Sequence, residues 1–195
     1  MPNYADINGR PMKKLQIQQY LRKLQLNDFE PAVNLATLTK LQDAHLKYIP
    51  YENFDCLNGK ITSLKRQDMF NKVIMHNRGG ICFELNGLYN WLLESLGFDV
   101  TSYSARFIDK METYQLRRHR VMCVALGDKR YLTDVGVNSE SPRVPLEITE
   151  GLIQSDGISQ YKFTRSEFWG WLLWQKERGK IWKRLFGSVS YTHLT

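Results

Sequence analysis

The sequence has few cysteines and no long apolar run. Only three cysteines occur among 195 residues, Cys56, Cys82 and Cys123, and none forms a C-x-x-C pair. This number and spacing argue against a disulfide framework or a zinc site, so we expect free thiols, no bound metal and a reducing environment. No apolar stretch approaches the roughly 20 residues that a membrane-spanning helix needs, and residues 1–10 lack an apolar signal region. We therefore expect a cytoplasmic protein without a membrane partner.

Positive charge is in excess but is not concentrated. The formal net charge is +7, which raises nucleic acid as a partner because Lys and Arg neutralise phosphates. The basic residues are scattered, however, and the two dense stretches, 117–120 and 176–184, belong to no nucleic-acid-binding module that we identify. We expect no nucleic-acid partner, and the same charge suits a phosphate-bearing substrate.

The pattern of apolar residues predicts helices in the first half of the chain and strands in the second. Stripes with helical spacing predict four helices before residue 98. They lie at 17–24, 35–45, 63–76 and 82–97. Runs of β-favouring residues predict four strands after it. They lie at 99–107, 120–126, 130–134 and 160–164. We therefore predict an α+β protein whose composition changes near residue 97.

Cys82 stands in the most informative position of the sequence. It follows Gly79 and Gly80, which allow a tight turn, and it opens the fourth predicted helix. In the first turn of a helix, unpaired backbone N–H groups and the positive end of the dipole favour a thiolate, which is the reactive form of cysteine. Free cysteines are more often small buried apolar residues, and we assign that role to Cys56 and Cys123.

A predicted hairpin brings a histidine and a carboxylate together. A two-residue turn at 127–128 sets a strand register in which His119 lies diagonal to Asp134 on one face of the sheet. A shift of one residue would place them on opposite faces. If the register holds, His119 takes the proton of Cys82, and Asp134 orients and stabilises the imidazole, which is the arrangement of a thiol triad. Each residue alone also has a structural explanation, so the prediction rests on their combination.

These segments resemble the arylamine N-acetyltransferase family. The matching stretches occur in the order found in the family, at 45–53, 78–86, 96–98, 105–106, 119, 134–136 and 144–146. The arginine, double glycine and cysteine at 78–82 form the most specific of these blocks. The resemblance covers the greater part of the chain.

The resemblance implies a three-part fold. It implies a helical bundle over residues 1–97 that carries Cys82, followed by an antiparallel β-barrel-like domain over 98–187 that carries His119 and Asp134. Together these give a Cys-His-Asp arrangement similar to that of cysteine proteases. We expect the third, α/β domain of the family to be largely missing, as in a C-terminally truncated or atypical member, and we leave residues 188–195 as an unassigned tail. The aromatic stretch 168–174 is interpreted as the entrance to that domain or, alternatively, as a membrane-surface helix.

The resemblance also implies an activity. Acetyl-CoA is the expected acyl donor, Cys82 the acetylated nucleophile, and the nitrogen of a small aromatic amine or hydrazine the acceptor. Arg78, Glu52 and Asn53 are expected to be structural, and backbone N–H groups near Cys82 are candidates for an oxyanion hole. Two alternatives remain: another thiol enzyme with the same three residues, such as a hydrolase or a transglutaminase-like enzyme, and a catalytically weak remnant.

Overall fold

The structure is a computed structural model that describes residues 10–108, 116–137 and 141–188. Within these ranges every helix precedes every strand. The helices are α1 (Lys14–Lys23), α2 (Leu35–Tyr48), α3 (Phe54–Leu57), α4 (Arg66–Phe70), followed by a π-helical turn at Asn71–Met75, and α5 (Cys82–Ser95). The strands are β1 (Asp99–Phe107), β2 (His119–Leu126), β3 (Lys129–Thr133), β4 (Leu146–Glu147), β5 (Gln154–Ser155), β6 (Ser159–Ser166), β7 (Gly170–Glu177) and β8 (Lys183–Ser188).

The helices follow the predicted pattern with two differences. Asn34 begins α2 by accepting a hydrogen bond on its side chain from the Thr37 backbone N–H at 2.8 Å. Gly97, with φ +91°, follows the end of α5 as predicted. The predicted helix at 63–76 begins only at Arg66, and its second half is the π-helical turn. The short helix α3 was not predicted, because four residues are too few for a stripe to appear.

The strands form one eight-stranded antiparallel sheet that curls into a nearly closed barrel. The strand order is β4-β3-β2-β1-β8-β7-β6-β5. The two ends of the sheet approach each other, since the Gln154 side chain bonds to the Glu147 backbone and Glu150 forms a bridge with Phe163. The predicted turn at 127–128 is present, with Leu126 opposite Lys129.

Four of the eight strands in the described ranges, β4, β5, β7 and β8, were not predicted from the sequence. The aromatic stretch 168–174 leads into β7, which pairs with β6 and β8 in the sheet. It is therefore a strand and not a membrane-surface helix. The predicted tail begins inside β8, because Ser188 is the last residue of that strand, and 189–195 lie outside the described residues.

The sheet has a different core on each face. Met122 and Val124 of β2 point to the helices and join their core, whereas Val121 and Cys123 point into the barrel. The helices and the helix-facing side of the sheet thus share one apolar core, and the inside of the barrel has another. The division into two domains at residue 97 remains a prediction. His119 lies on the barrel side of β2, since it alternates with the helix-facing residues. No helix in the described ranges is long and apolar enough to cross a membrane.

Candidate active site

Cys82 is the first residue of α5, and Glu84 fixes the entry to that helix. Glu84 is buried, and its Oε2 accepts a hydrogen bond from the Ile81 backbone N–H at 3.0 Å. The ammonium of Lys72 lies 2.8 Å from Glu84 Oε1. A side chain at Gly80 would meet Glu84 Oε2 at 2.9 Å, so glycine is needed there for close packing. The turn before Cys82 is therefore held by the carboxylate that also begins the helix.

A second set of ion pairs ties this turn to the helical segment that precedes it. Arg78 Nη2 lies 2.7 Å from Glu52 Oε1 and 3.3 Å from Asp55 Oδ1, and Lys72 Nζ lies 2.9 Å from Asp55 Oδ2. Asn53 lies between the two acids, immediately before α3. These contacts agree with the structural role expected for Arg78 and Glu52.

His119 and Asp134 form a buried hydrogen-bonded pair. His119 Nε2 lies 2.6 Å from Asp134 Oδ2, and the two residues are 0% and 1% exposed. The imidazole packs against Phe107 and Phe186, with ring centroids 5.1 Å and 5.3 Å away. Burial alone would lower the pKa of His119, but Asp134 and Cys82 raise it to about 9. The imidazole is therefore cationic at neutral pH.

Cys82 is the third member of this group of residues and interacts with His119. The thiol of Cys82 is buried and donates to the Arg118 carbonyl at 3.5 Å. Its interaction with His119 contributes to the raised pKa of the histidine. His119 Nδ1 has no hydrogen-bond partner within the described residues. The structure thus brings the three predicted residues to one place and leaves Nδ1 unbonded, while their catalytic roles remain predictions.

Asn86 is the residue of this site that the sequence did not single out. It is buried one turn after Cys82, and its Nδ2 donates to Asp134 Oδ1 at 2.8 Å. Its Oδ1 accepts from the Val135 backbone N–H at 2.9 Å. Gly136 also donates its backbone N–H to Asp134, at 2.8 Å. Helix α5 therefore supplies both Cys82 and the side chain that fixes Asp134.

Gly136 also permits the loop after β3 to approach α5. A Cβ at this position would lie 2.8 Å from Cys82 Cα and 2.8 Å from Asn86 Nδ2. Such distances are too short for any side chain. The glycine that follows Asp134 and Val135 is thus a steric requirement of the site.

The other candidate residues lie elsewhere. Cys123 is buried as expected, but Cys56 is exposed on the short helix α3, so the expectation of a buried Cys56 was wrong. All three cysteines are free. His45 is fully buried between the rings of Tyr20 and Tyr89. Within the described ranges, no group of His, Cys, Asp or Glu residues has the arrangement of a metal site.

Comparison with known proteins identifies the family. The model of the N-acetyltransferase family matches residues 34–191. The arylamine N-acetyltransferase of Mycolicibacterium smegmatis is 36% identical over 152 residues, which are 75% of this chain and 55% of the relative. The chain belongs to the arylamine N-acetyltransferase family. It spans about half the length of the first curated relatives it matches.

Solved structures show the same fold. The arylamine N-acetyltransferase from Salmonella typhimurium has a TM-score of 0.86 and 26% identity, over 93% of this chain and 65% of that chain. The Mycobacterium marinum arylamine N-acetyltransferase in complex with CoA has a TM-score of 0.80 and 27% identity, over 91% of this chain and 66% of that chain. The helices and the nearly closed antiparallel barrel of this chain therefore have the same arrangement as the matching two thirds of these structures.

Proposed function

We propose that the chain transfers an acetyl group from acetyl-CoA to the nitrogen of a small aromatic amine or hydrazine, through an acetyl-Cys82 intermediate. The observation that carries the proposal is the buried His119–Asp134 pair at 2.6 Å next to a cysteine that begins a helix. Membership of the family supports the reaction class, and the CoA complex of the Mycobacterium marinum relative supports the donor.

In the first half-reaction, Cys82 is the nucleophile. Cationic His119 stabilises a negative charge on Cys82 Sγ, which attacks the carbonyl carbon of the acetyl thioester. The new bond joins Sγ to that carbon, the bond from the carbon to the coenzyme sulfur breaks, and His119 returns a proton to the leaving thiolate. The backbone N–H groups of Cys82 and Phe83, at the start of α5, are the proposed donors for the oxyanion.

In the second half-reaction, His119 is the base. The acceptor nitrogen attacks the acetyl carbon, the bond from that carbon to Cys82 Sγ breaks, and His119 takes the proton that the nitrogen loses. Asp134 holds the imidazole through Nε2, so Nδ1 exchanges the protons in both halves. Since one thioester replaces another, the acyl group stays activated between the two substrates.

Phe107 supports an aromatic acceptor. Its ring contacts the His119 imidazole with centroids 5.1 Å apart, yet Phe107 is 38% exposed. An exposed ring next to the reacting histidine offers a surface on which an aromatic amine stacks.

Exchange of single cysteines tests the proposal. With acetyl-CoA and an aromatic hydrazine, we expect Cys82→Ser to lose transfer by several orders of magnitude and Cys123→Ser to keep it within about two-fold, because only Cys82 contacts His119. The measurement is the steady-state rate at varied concentrations of both substrates, with the parallel double-reciprocal lines of a ping-pong reaction. Activity of Cys82→Ser equal to that of the parent would contradict the assignment. Turnover of peptide or glutamine amides in place of acetyl-CoA would favour the hydrolase or transglutaminase-like alternative.

A further inference from the structure

The barrel contains a cavity that the acyl-transfer site does not use. Its volume is about 410 Å³, within the range of about 300–1,000 Å³ that ligand pockets occupy. The walls come from residues of seven strands, all except β5, and from the loops next to them. The apolar ones are Val121, Leu132, Ile148, Phe163, Leu173 and Phe186, with the rings of Tyr103 and Trp171. Neither Cys82 nor His119 is among them.

The aromatic side chains in the cavity wall indicate that the ligand contains an aromatic ring. Tyr103, Phe163, Trp171 and Phe186 enclose the cavity, and Phe163 and Trp171 already meet edge to face with centroids 6.2 Å apart. Rings arranged at such angles leave faces and edges that suit a further ring. Cys123 lies in the wall as well, and burial raises the pKa of its thiol, so it adds no charge.

The charged residues of the cavity wall indicate which polar group the ligand carries. Five ionisable residues lie there: Asp128, Lys129, Arg130, Glu147 and Arg165. Lys129 and Glu147 pair with each other at 2.8 Å. Arg130 forms no ion pair within the described residues, and the Arg165 guanidinium stacks on Trp171 at 4.4 Å from the ring centroid. Apart from the Lys129–Glu147 pair, the lining therefore contains two guanidinium groups and one carboxylate, that of Asp128.

We propose that this cavity binds a small aromatic carboxylate, with its ring inside the barrel and its carboxylate between Arg130 and Arg165. A guanidinium matches a carboxylate with two parallel hydrogen bonds. Asp128 leaves the lining with one net positive charge, which favours a monoanion over a phosphate dianion. The site lies behind the acyl-transfer site, since Phe186 forms part of the cavity wall and also contacts the His119 ring at 5.3 Å.

The test is titration calorimetry of the full chain with naphthalene-2-carboxylate, compared with naphthalene-2-carboxamide as the uncharged equivalent. We expect saturable binding of one carboxylate per chain, weaker by about ten-fold for the carboxamide and for Arg130→Gln with Arg165→Gln. Arg143→Gln is the matched control, because Arg143 pairs with Asp43 at 3.3 Å and is not in the cavity lining. Equal binding of acid and amide, or full binding by the double variant, would overturn the proposal, as would absence of binding at millimolar concentration.

Protection of cysteines locates the bound molecule. Naphthalene-2-carboxylate is expected to slow alkylation of Cys123 by iodoacetamide several-fold and to leave exposed Cys56 unchanged. Protection of Cys82 without Cys123 would place the molecule in the acyl-transfer site and would overturn the proposal. Binding is expected to persist in Cys82→Ser, so failure of the acyl-transfer proposal and failure of this one are distinguishable.

Discussion

Two buried histidines of this protein have opposite pKa shifts. His45 and His119 are both 0% exposed, and both pack between two aromatic rings. Burial lowers the pKa of His45 to about 3, whereas His119 has a pKa of about 9. Neither ring nitrogen of His45 has a hydrogen-bond partner within the described residues, while His119 Nε2 meets Asp134 at 2.6 Å. The partner, and not the degree of burial, decides which histidine is cationic.

Removing the charge of Asp134 makes the surroundings of His119 resemble those of His45. Asp134→Asn is expected to lower acetyl transfer by up to about 10⁴-fold, because the amide no longer stabilises the imidazolium or selects its tautomer. The measurement is kcat for transfer, together with an NMR titration in which the His119 pKa falls below that of the parent. Asp156→Asn is the matched control, since Asp156 is also hydrogen-bonded in a loop but contacts Ser159 and Arg143. Unchanged transfer by Asp134→Asn would contradict the account.

Replacement of Asn86 is expected to have a smaller effect than replacement of Asp134, because Asn86 holds Asp134 without touching the imidazole. Asn86→Ala removes the hydrogen bonds to Asp134 and to the Val135 backbone, and we expect transfer to fall by about 10–100-fold. The pH profile of transfer should also shift, since a displaced Asp134 stabilises the imidazolium less well. Asn90→Ala is the control one turn later on α5, where Asn90 bonds to Glu94. Equal losses in both variants, with the same pH profile, would indicate a structural role only.

The sequence carried enough information to place His119 and Asp134, but not Asn86. The turn at 127–128 determines the register of the β2–β3 hairpin, and this register is local in the chain. Asn86 and Asp134 are 48 positions apart, and their contact depends on how α5 packs against the sheet. No periodicity or turn signal reports such packing.

The missed elements have related physical reasons. Strand β7 contains a run of aromatic residues with no clear alternation, because both of its faces are partly covered in the barrel. Strand β8 has glycine at position 187, where a Cβ would meet Ile108 Cδ1 at 2.8 Å. Such a glycine weakens the sequence signal of a strand although the fold requires it. The exposed Cys56 was missed because the short helix around it has no apolar stripe.

The pKa shifts of the two histidines predict how the free energy of unfolding depends on pH. We expect this effect to be smaller than the losses of acetyl transfer described above. The folded pKa of His119, about 9, lies above the ordinary value of 6.5. The contribution of His119 to the free energy of unfolding is complete below pH 6.5 and is lost as the pH rises through 9. The folded pKa of His45, about 3, lies below 6.5. The unfolded chain therefore gains a proton first, and stability is lost as the pH falls from 6.5 towards 3.

Replacement of His45 separates its effect on stability, between about pH 3 and 6.5, from that of His119, between about pH 6.5 and 9. His45→Phe keeps an aromatic ring between Tyr20 and Tyr89, and we expect it to flatten the acid side of the stability curve while leaving the alkaline side unchanged. The free energy of unfolding in urea, measured from pH 4 to 9, checks this. His76→Gln, at an exposed position, should leave both sides as in the parent. An unchanged acid side in His45→Phe would mean that His45 is not the group that titrates there.

The central claim is that Cys82, next to cationic His119, takes the acetyl group. The most direct measurement is the intact mass of the folded chain after mixing with acetyl-CoA alone, followed by peptide mapping and then by addition of an aromatic hydrazine. The account predicts one added acetyl group on Cys82, which the hydrazine removes, and no added group on Cys82→Ser. A folded sample that gains no acetyl group, or that carries it on Cys123 or Cys56, would contradict the claim.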